Sequence, residues 1–234
     1  MEFNTDGHIF PIVSARQAKD GTLAIEKFIG TGFWVTENGH FLTCKHVLAE
    51  VGEGMVAAIG QPFGESRDRY LPIMRSEASS KFDIALGTAR CARKTKPISI
   101  YEGTIAPGLD VSAFGFTDGG KANGSVLLDV RYLKGHLVRT GEATQGIPSA
   151  SLVETSFGSP SGFSGAPLLV DFTVAGMLYS NIETKLQSYS ILEVIDGERE
   201  YRETAARIYE YGLAHHRESL IGFISRCDLS PWPT

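Results

Sequence analysis

The arrangement of apolar runs along this chain constrains its fold more than any other feature. Strand-length runs rich in β-branched and aromatic residues recur roughly every 10–15 residues, and residues that favour turns separate them. A stretch over Thr95–Gly108 divides these runs into two groups, and the pattern predicts an all-β chain in two halves. The predicted strands are Phe10–Val13, Thr22–Ile29, Gly32–Val35, Phe41–Cys44, Met55–Ile59, Leu71–Ser76, Ile84–Thr88, Val111–Phe116, Ser125–Lys134, His136–Arg139, Ser151–Glu154, Pro167–Val170, Val174–Ser180 and Ser188–Val194.

The C-terminal part of the sequence follows a different period. Between Gly197 and about Leu220, apolar and small residues recur at i, i+3 and i+4, and charged residues occupy positions between them. This spacing predicts an amphipathic helix. A further strand or an extended tail is then expected at Ile221–Ile224.

The composition excludes several classes of protein. With 234 residues, of which 42% are hydrophobic, the chain can bury a large core and is not expected to be disordered. Its 27 acidic and 22 basic residues give a net charge of −5, so we expect no nucleic-acid partner. No run approaches the roughly 18 apolar residues of a membrane span, and the N-terminus lacks the features of a signal peptide.

The segment Gly162-Phe163-Ser164-Gly165-Ala166-Pro167 has the composition expected around an exposed nucleophile. Glycines allow a tight turn and bring main-chain N–H groups close to a bound carbonyl. The N–H groups of Gly162 and Ser164 are suited to an oxyanion hole. Clusters of glycine, serine and proline also form ordinary turns, so the segment alone is compatible with either interpretation.

An attacking serine needs a base, and the base needs a carboxylate to orient it. His46 follows the strand-like run Phe41–Cys44, and Asp83 interrupts an apolar segment between Phe82 and Ile84. A carboxylate in such surroundings is costly unless it is paired, and an imidazole N–H is a suitable partner. The order histidine, aspartate, serine along the chain is that of the chymotrypsin triad.

Four segments together resemble the trypsin/chymotrypsin-like serine protease family. Thr43–Val47 is similar to the family's catalytic-histidine segment, Phe82–Leu86 to its aspartate segment and Gly162–Pro167 to its Gly-x-Ser-Gly-x-Pro loop. With the glycine-led strand Gly30–Val35, the match spans residues 30–195. Many members are secreted and disulfide-linked, whereas this chain is more similar to the bacterial-type, intracellular branch.

The resemblance implies a fold and a set of roles. It implies two antiparallel six-stranded β-barrels, with the active site in the crevice between them and a C-terminal α-helix. Ser164 is expected to be the nucleophile, His46 its base and Asp83 the residue that orients the base. The implied activity is that of a serine endopeptidase that works through an acyl-enzyme intermediate and without a metal or other cofactor. The implied units are a first barrel over residues 1–100, a second barrel over 101–196 and a helix and tail over 197–234.

The resemblance also places the primary substrate pocket. In this family its floor lies six positions before the serine, which is Gly158 in this chain. Its wall is expected at Tyr179, Ser180 and Asn181. Because Gly158 supplies no negative charge, we expect a preference for apolar or small side chains rather than for lysine or arginine.

Two other classes of protein share some of these features. An α/β-hydrolase would also place an acid and a histidine after its serine, but it requires Gly-x-Ser-x-Gly on a turn into a helix. Here Ala166 occupies the place of the second glycine, and a strand-like run follows. The other alternative is a catalytically silent module of the protease fold that binds peptides along a strand edge.

The number and spacing of the cysteines indicate the kind of cellular compartment in which the protein works. Cys44, Cys91 and Cys227 are an odd number at wide spacings, which indicates neither a disulfide framework nor a metal site. This favours a reducing compartment, and we expect the cytoplasm. The expected partners are a protein or peptide substrate and a regulatory or sensor protein, with no nucleic acid and no membrane.

Overall fold

The computed structural model describes residues 7–60, 70–122, 125–142, 151–195 and 199–230. These residues form two closed barrels of six antiparallel strands each, which confirms the predicted fold class. The order of the strands around the first barrel is β1-β2-β3-β6-β5-β4. Its strands are β1 (Ile9–Gln17), β2 (Leu23–Trp34), β3 (His40–Thr43), β4 (Val56–Gly60), β5 (Tyr70–Ala78) and β6 (Ala85–Ala89).

The second barrel follows a linker over residues 90–109, and its strands are arranged in the order β10-β11-β12-β9-β8-β7. A five-residue helix, α1 (Lys45–Ala49), joins β3 to β4, and a second helix, α2 (Arg217–Ile224), follows β12. Neither helix is long and apolar enough to cross a membrane, and no other helix occurs in the described ranges. The strands of this barrel are β7 (Asp110–Ala122), β8 (Ser125–Glu142), β9 (Ser151–Thr155), β10 (Pro167–Val170), β11 (Thr173–Ile195) and β12 (Arg199–His216).

The C-terminal segment differs from its prediction. The stretch predicted as a helix is strand β12, and the helix α2 begins only at Arg217. The segment Ile221–Ile224, predicted as a strand or tail, belongs to that helix. The predicted start of the longer helix at Gly197 lies outside the described residues.

Pairing with two neighbours explains why β12 is a strand. It pairs with β11 along its whole length and with β9 near its C-terminal end. Helix propensity is a weak preference that tertiary contacts override. Without β12 the edges of β9 and β11 would stay open, so the second barrel extends to His216 rather than ending at residue 196.

The two barrels are filled differently. In the first, Phe10 lies 4.5 Å from Trp34 and 5.4 Å from Phe41 between ring centroids, and all three side chains are buried. Smaller side chains surround Phe163 in the second barrel. The core of the first barrel continues into residues of the second, such as Met177. The barrels therefore share an apolar interface.

Candidate active site

His46 and Asp83 are both carried by the first barrel. His46 lies in α1, directly after β3. Asp83 lies in the turn between β5 and β6, where the Ser79 hydroxyl oxygen accepts hydrogen bonds from the main-chain N–H groups of Lys81 and Phe82 at 3.2 and 3.1 Å. Because β3 and β6 are paired in the barrel, the start of α1 and this turn lie together at one end.

The imidazole of His46 and the carboxylate of Asp83 form a close pair. Nδ1 of His46 lies 2.5 Å from Oδ2 of Asp83, and the main-chain N–H of His46 donates to Oδ1 at 2.9 Å. The second bond fixes the carboxylate against the backbone that carries the imidazole. Since Nδ1 is occupied, Nε2 is the nitrogen left to act as a base.

The pairing changes the titration of both groups. The hydrogen bond with Asp83 raises the pKa of His46 above its ordinary value, although burial opposes this. Burial acts to raise the pKa of Asp83, but the hydrogen bonds from the side chain and main chain of His46 outweigh it and lower that pKa. An ionised carboxylate in this position holds the imidazole tautomer and stabilises the imidazolium.

Ser164 is presented by a loop of the second barrel whose backbone requires glycine. Gly162 and Gly165 have φ angles of +96° and +87°, a region in which residues with a Cβ are strained. Phe163 is fully buried in the second core, where a Cβ at Gly115 would lie only 3.2 Å from its ring. The backbone is therefore fixed on both sides of Ser164.

Hydrogen bonds of Thr31 join this loop to β2 of the first barrel. The main-chain N–H of Thr31 donates to the carbonyl of Ser164 at 3.0 Å, and its hydroxyl donates to the carbonyl of Gly162 at 2.8 Å. The carbonyl of Thr31 accepts a bond from the Thr43 hydroxyl at 2.8 Å. Thr31 thus links the serine loop to the end of β3, three residues before His46.

Gly30 marks the close approach of the serine loop to α1. A Cβ at this position would lie 2.7 Å from a methyl carbon of Val47 and 3.1 Å from the carbonyl oxygen of Ser164. Only a glycine therefore fits here without displacing its neighbours. The contact brings Ser164 to the end of the first barrel that carries His46.

Two N–H groups of the serine loop are available to a ligand. The N–H groups of Phe163, Gly165 and Ala166 donate to main-chain carbonyls of the second barrel. For those of Gly162 and Ser164, no acceptor is found among the described residues. These are the two groups predicted to form an oxyanion hole.

An acid lies beside the predicted pocket floor. A Cβ at Gly158 would lie 2.9 Å from Oε2 of Glu210, so a carboxylate from β12 reaches the position where the sequence predicts no charge. Glu210 is exposed and pairs across the strands with Glu183 of β11. The charge near Gly158 was missed because it comes from a strand that was predicted as a helix.

The predicted pocket wall is divided between two environments. Asn181 accepts a hydrogen bond from the N–H of Ser159 at 2.6 Å and donates one to its carbonyl at 2.8 Å, so it joins β11 to the loop that leads to the serine. Ser180 is exposed. The ring of Tyr179 instead packs on His215, with 4.2 Å between centroids. Asn181 therefore lies against the loop, whereas Tyr179 points toward the barrel interface.

Cys44 lies next to the histidine–aspartate pair. Its Sγ, a nitrogen of His46 and an oxygen of Asp83 lie within 4.8 Å of one another, a spacing that a metal ion could bridge. The thiol is fully buried and donates to the carbonyl of Leu178 at 3.3 Å, and burial raises its pKa well above the ordinary value. Each of the three groups already has a hydrogen-bond partner, so their proximity is explained without an ion.

The chain is similar to proteins of a known family. A family model described as a trypsin-like peptidase domain matches residues 30–177, which is more than half of the chain. The chain belongs to this family. None of the curated protein sequences compared with it matches.

Solved structures support the fold of this trypsin-like peptidase. The chain is similar to the active form of the Rv3671c protease from M. tuberculosis, with 13% identity and a TM-score of 0.60 over 98% of this chain and 85% of that chain. An inactive form of Rv3671c from M. tuberculosis H37Rv, with a serine-to-alanine substitution, gives 14% identity and the same TM-score over 95% and 87%. At these identities the likeness concerns the fold alone.

The sequence predicts the three residues of the triad but not the residues that contact the segments carrying them. Thr31 lies between two glycines in a segment that was recognised only as a strand, and its hydrogen bonds depend on contacts between barrels. His215 lies in the stretch predicted as a helix, yet its ring lies beside the residue that precedes Asp83. No local pattern signals either role.

Proposed function

We propose that this trypsin-like peptidase is a serine endopeptidase that works through an acyl-enzyme intermediate on Ser164. The observation that carries the proposal is the His46–Asp83 pair, whose Nδ1 bond leaves Nε2 as the base, on the barrel end that contacts the serine loop. Family membership supports the general activity.

The proposed reaction uses these groups in two halves. Nε2 of His46 takes the proton of the Ser164 hydroxyl as its oxygen attacks the peptide carbonyl carbon, and the N–H groups of Gly162 and Ser164 bind the resulting oxyanion. The tetrahedral adduct expels the amine, which receives the proton from His46. A water molecule then attacks the ester by the same route, and Ser164 is released with its proton.

Cysteine chemistry supports a reducing compartment, for which we propose the cytoplasm. Cys44, Cys91 and Cys227 are free thiols in the structure. Burial raises the pKa of Cys91 and of Cys227 to about 11, which keeps both as unreactive thiols near neutral pH. Mass spectrometry after alkylation should find three free thiols, and a disulfide in freshly isolated protein would contradict this. A regulatory or sensor partner stays a prediction.

A fluorophosphonate probe tests the proposal without knowledge of the substrate. It should form a covalent adduct on Ser164 of the wild-type protein. Ser164→Ala should abolish the adduct, whereas Ser161→Ala, an exposed serine in the same loop, should leave it unchanged. A wild-type protein that binds peptides but never reacts with the probe would favour the silent binding module, and labelling that survives Ser164→Ala would refute the nucleophile.

A further inference from the structure

His215 lies where the second barrel meets the turn that carries Asp83. It belongs to β12 and is only 5% exposed. Met177 of β11 and Leu152 of β9 are its partners in the sheet. Its ring centroid lies 6.2 Å from that of Phe82, the residue immediately before Asp83. A histidine of one barrel thus contacts the acid-bearing turn of the other.

Tyr179 backs the His215 ring. The two rings are stacked, with centroids 4.2 Å apart and planes inclined by 17°. Burial raises the pKa of Tyr179 to about 12, so its phenol is neutral at physiological pH. Stacking against a rigid neighbour limits the orientations open to the imidazole.

The two ring nitrogens of His215 have different surroundings. Nε2 is buried, and no hydrogen-bond partner is found for it among the described residues. The main chain of Asp83 acts on the ring and favours its protonated form, and because Nε2 has no partner among the described residues we assign this interaction to Nδ1. Burial lowers the pKa of His215 to about 4, although the carboxylate and main chain of Asp83 oppose this. The imidazole is therefore neutral near pH 7 and has a single N–H to donate.

We propose that His215 is a positioning residue for Asp83. Its Nδ1–H donates to the main-chain carbonyl of Asp83, and its ring, backed by Tyr179, holds the Phe82–Asp83 turn in place. The barrel that supplies the nucleophile thereby also sets the carboxylate that orients His46. This inference rests on the proposed function. A buried imidazole nitrogen without a hydrogen-bond partner lowers the stability of the fold. Proteins retain such groups mainly where function requires them.

Three variants separate hydrogen bonding from packing. His215→Phe keeps an aromatic ring but has no donor, and His215→Asn places an amide donor near the position of Nδ1. His136→Phe, an exposed histidine on β8, is the matched control. The first readout is the pKa of His46 from the NMR shift of its ¹³Cε1, and the second is the rate of fluorophosphonate reaction at Ser164. The charges that act on His46 are those of Asp83 and Glu50, and no variant removes either.

Loss of the donor should weaken the His46–Asp83 bond. His215→Phe should lower the pKa of His46 toward 6.5 and slow the probe reaction roughly tenfold, a loss similar to that caused in metal sites by removing a residue that orients a metal ligand. His215→Asn and His136→Phe should stay close to wild type in both readouts. Wild-type values in His215→Phe would overturn the proposal, and so would equal losses in the Phe and Asn variants.

A measurement on the unaltered protein keeps the proposal testable if His215→Phe does not fold. The ¹⁵N shifts of the wild-type imidazole should show Nδ1 of His215 protonated, and an Nε2–H tautomer would overturn the proposal. Failure of the proposed function is distinguishable, because wild-type protein would then not react with the probe. The His46 pKa and the His215 tautomer would still report on the positioning role.

Discussion

The two barrels contribute to the site in different ways. The first carries the proposed base already joined to its carboxylate partner, since His46 and Asp83 bond to each other within one barrel. The second supplies Ser164 on a loop that depends on two glycines with positive φ and on the burial of Phe163. The first barrel therefore carries a preformed pair, whereas the proposed nucleophile is aligned with that pair only by the packing of the second barrel against the first.

The contacts between the barrels follow from this difference. Thr31 of the first barrel donates hydrogen bonds to the carbonyls of Gly162 and Ser164. His215 of the second barrel packs beside the turn that carries Asp83. Each barrel thus contacts the segment of the other that carries a proposed catalytic group. Substitutions at these contacts should affect activity without disturbing either barrel alone.

The largest expected effect comes from removing one group of the proposed triad from either barrel. Ser164→Ala and His46→Ala should each lower kcat roughly 10⁴–10⁶-fold, and the double variant should lose little more, because the groups act as a unit. Hydrolysis of a denatured protein substrate measures this, with Ser161→Ala as the control. Additive losses in the double variant would contradict a shared mechanism.

Acidification should reveal the cost of burying His215. Its pKa is about 4 in the folded protein and about 6.5 when unfolded, so the unfolded chain binds more protons between these values. The free energy of unfolding should therefore fall by about 3 kcal/mol as the pH drops from 6.5 to 4. Urea unfolding at pH 7 and pH 4 should show a smaller loss in His215→Phe, and an equal loss in both proteins would contradict the buried neutral imidazole.

Replacing Thr31 should weaken the docking of the serine loop. Thr31→Val keeps the shape but removes the hydroxyl that donates to Gly162 and accepts from the N–H of Phe116. We expect a loss of about 1–3 kcal/mol in unfolding free energy and slower reaction of Ser164 with the probe. Thr184→Val, at an exposed strand position, should change stability by less than about 0.5 kcal/mol.

The smallest effect concerns specificity. Glu210 lies beside Gly158 but is exposed, and exposed ion pairs contribute about 0–1 kcal/mol. A peptide library should therefore show at most about a fivefold preference for lysine or arginine before the cleaved bond, and Glu210→Gln should remove it. A steep basic preference that survives this change would show that the selecting charge lies elsewhere.

The regions that local pattern could predict are those whose chemistry is local. Short apolar runs and turn signals located the strands of the first barrel, although the two runs predicted as Thr22–Ile29 and Gly32–Val35 form the single strand β2. Glycine spacing located the loop of Ser164. The helix predicted from Gly197 failed because β12 is held by pairing with β9 and β11. Glu210 and His215 lie on that same strand, so their places beside Gly158 and Asp83 could not be predicted from the sequence.

The pH dependence of the reaction at Ser164 tests the central claim most directly, because it asks whether a base in one barrel controls a nucleophile in the other. In the proposed mechanism neutral His46 is the active form, and its bond to Asp83 raises its pKa above the ordinary value. The rate of fluorophosphonate reaction should therefore rise with pH through a single ionisation above pH 6.5, at the pKa that NMR gives for His46. Asp83→Asn should lower together the pKa seen in the reaction rate and the pKa that NMR gives for His46. A rate that does not follow the ionisation of His46 would contradict the assembly of one active site from the two barrels.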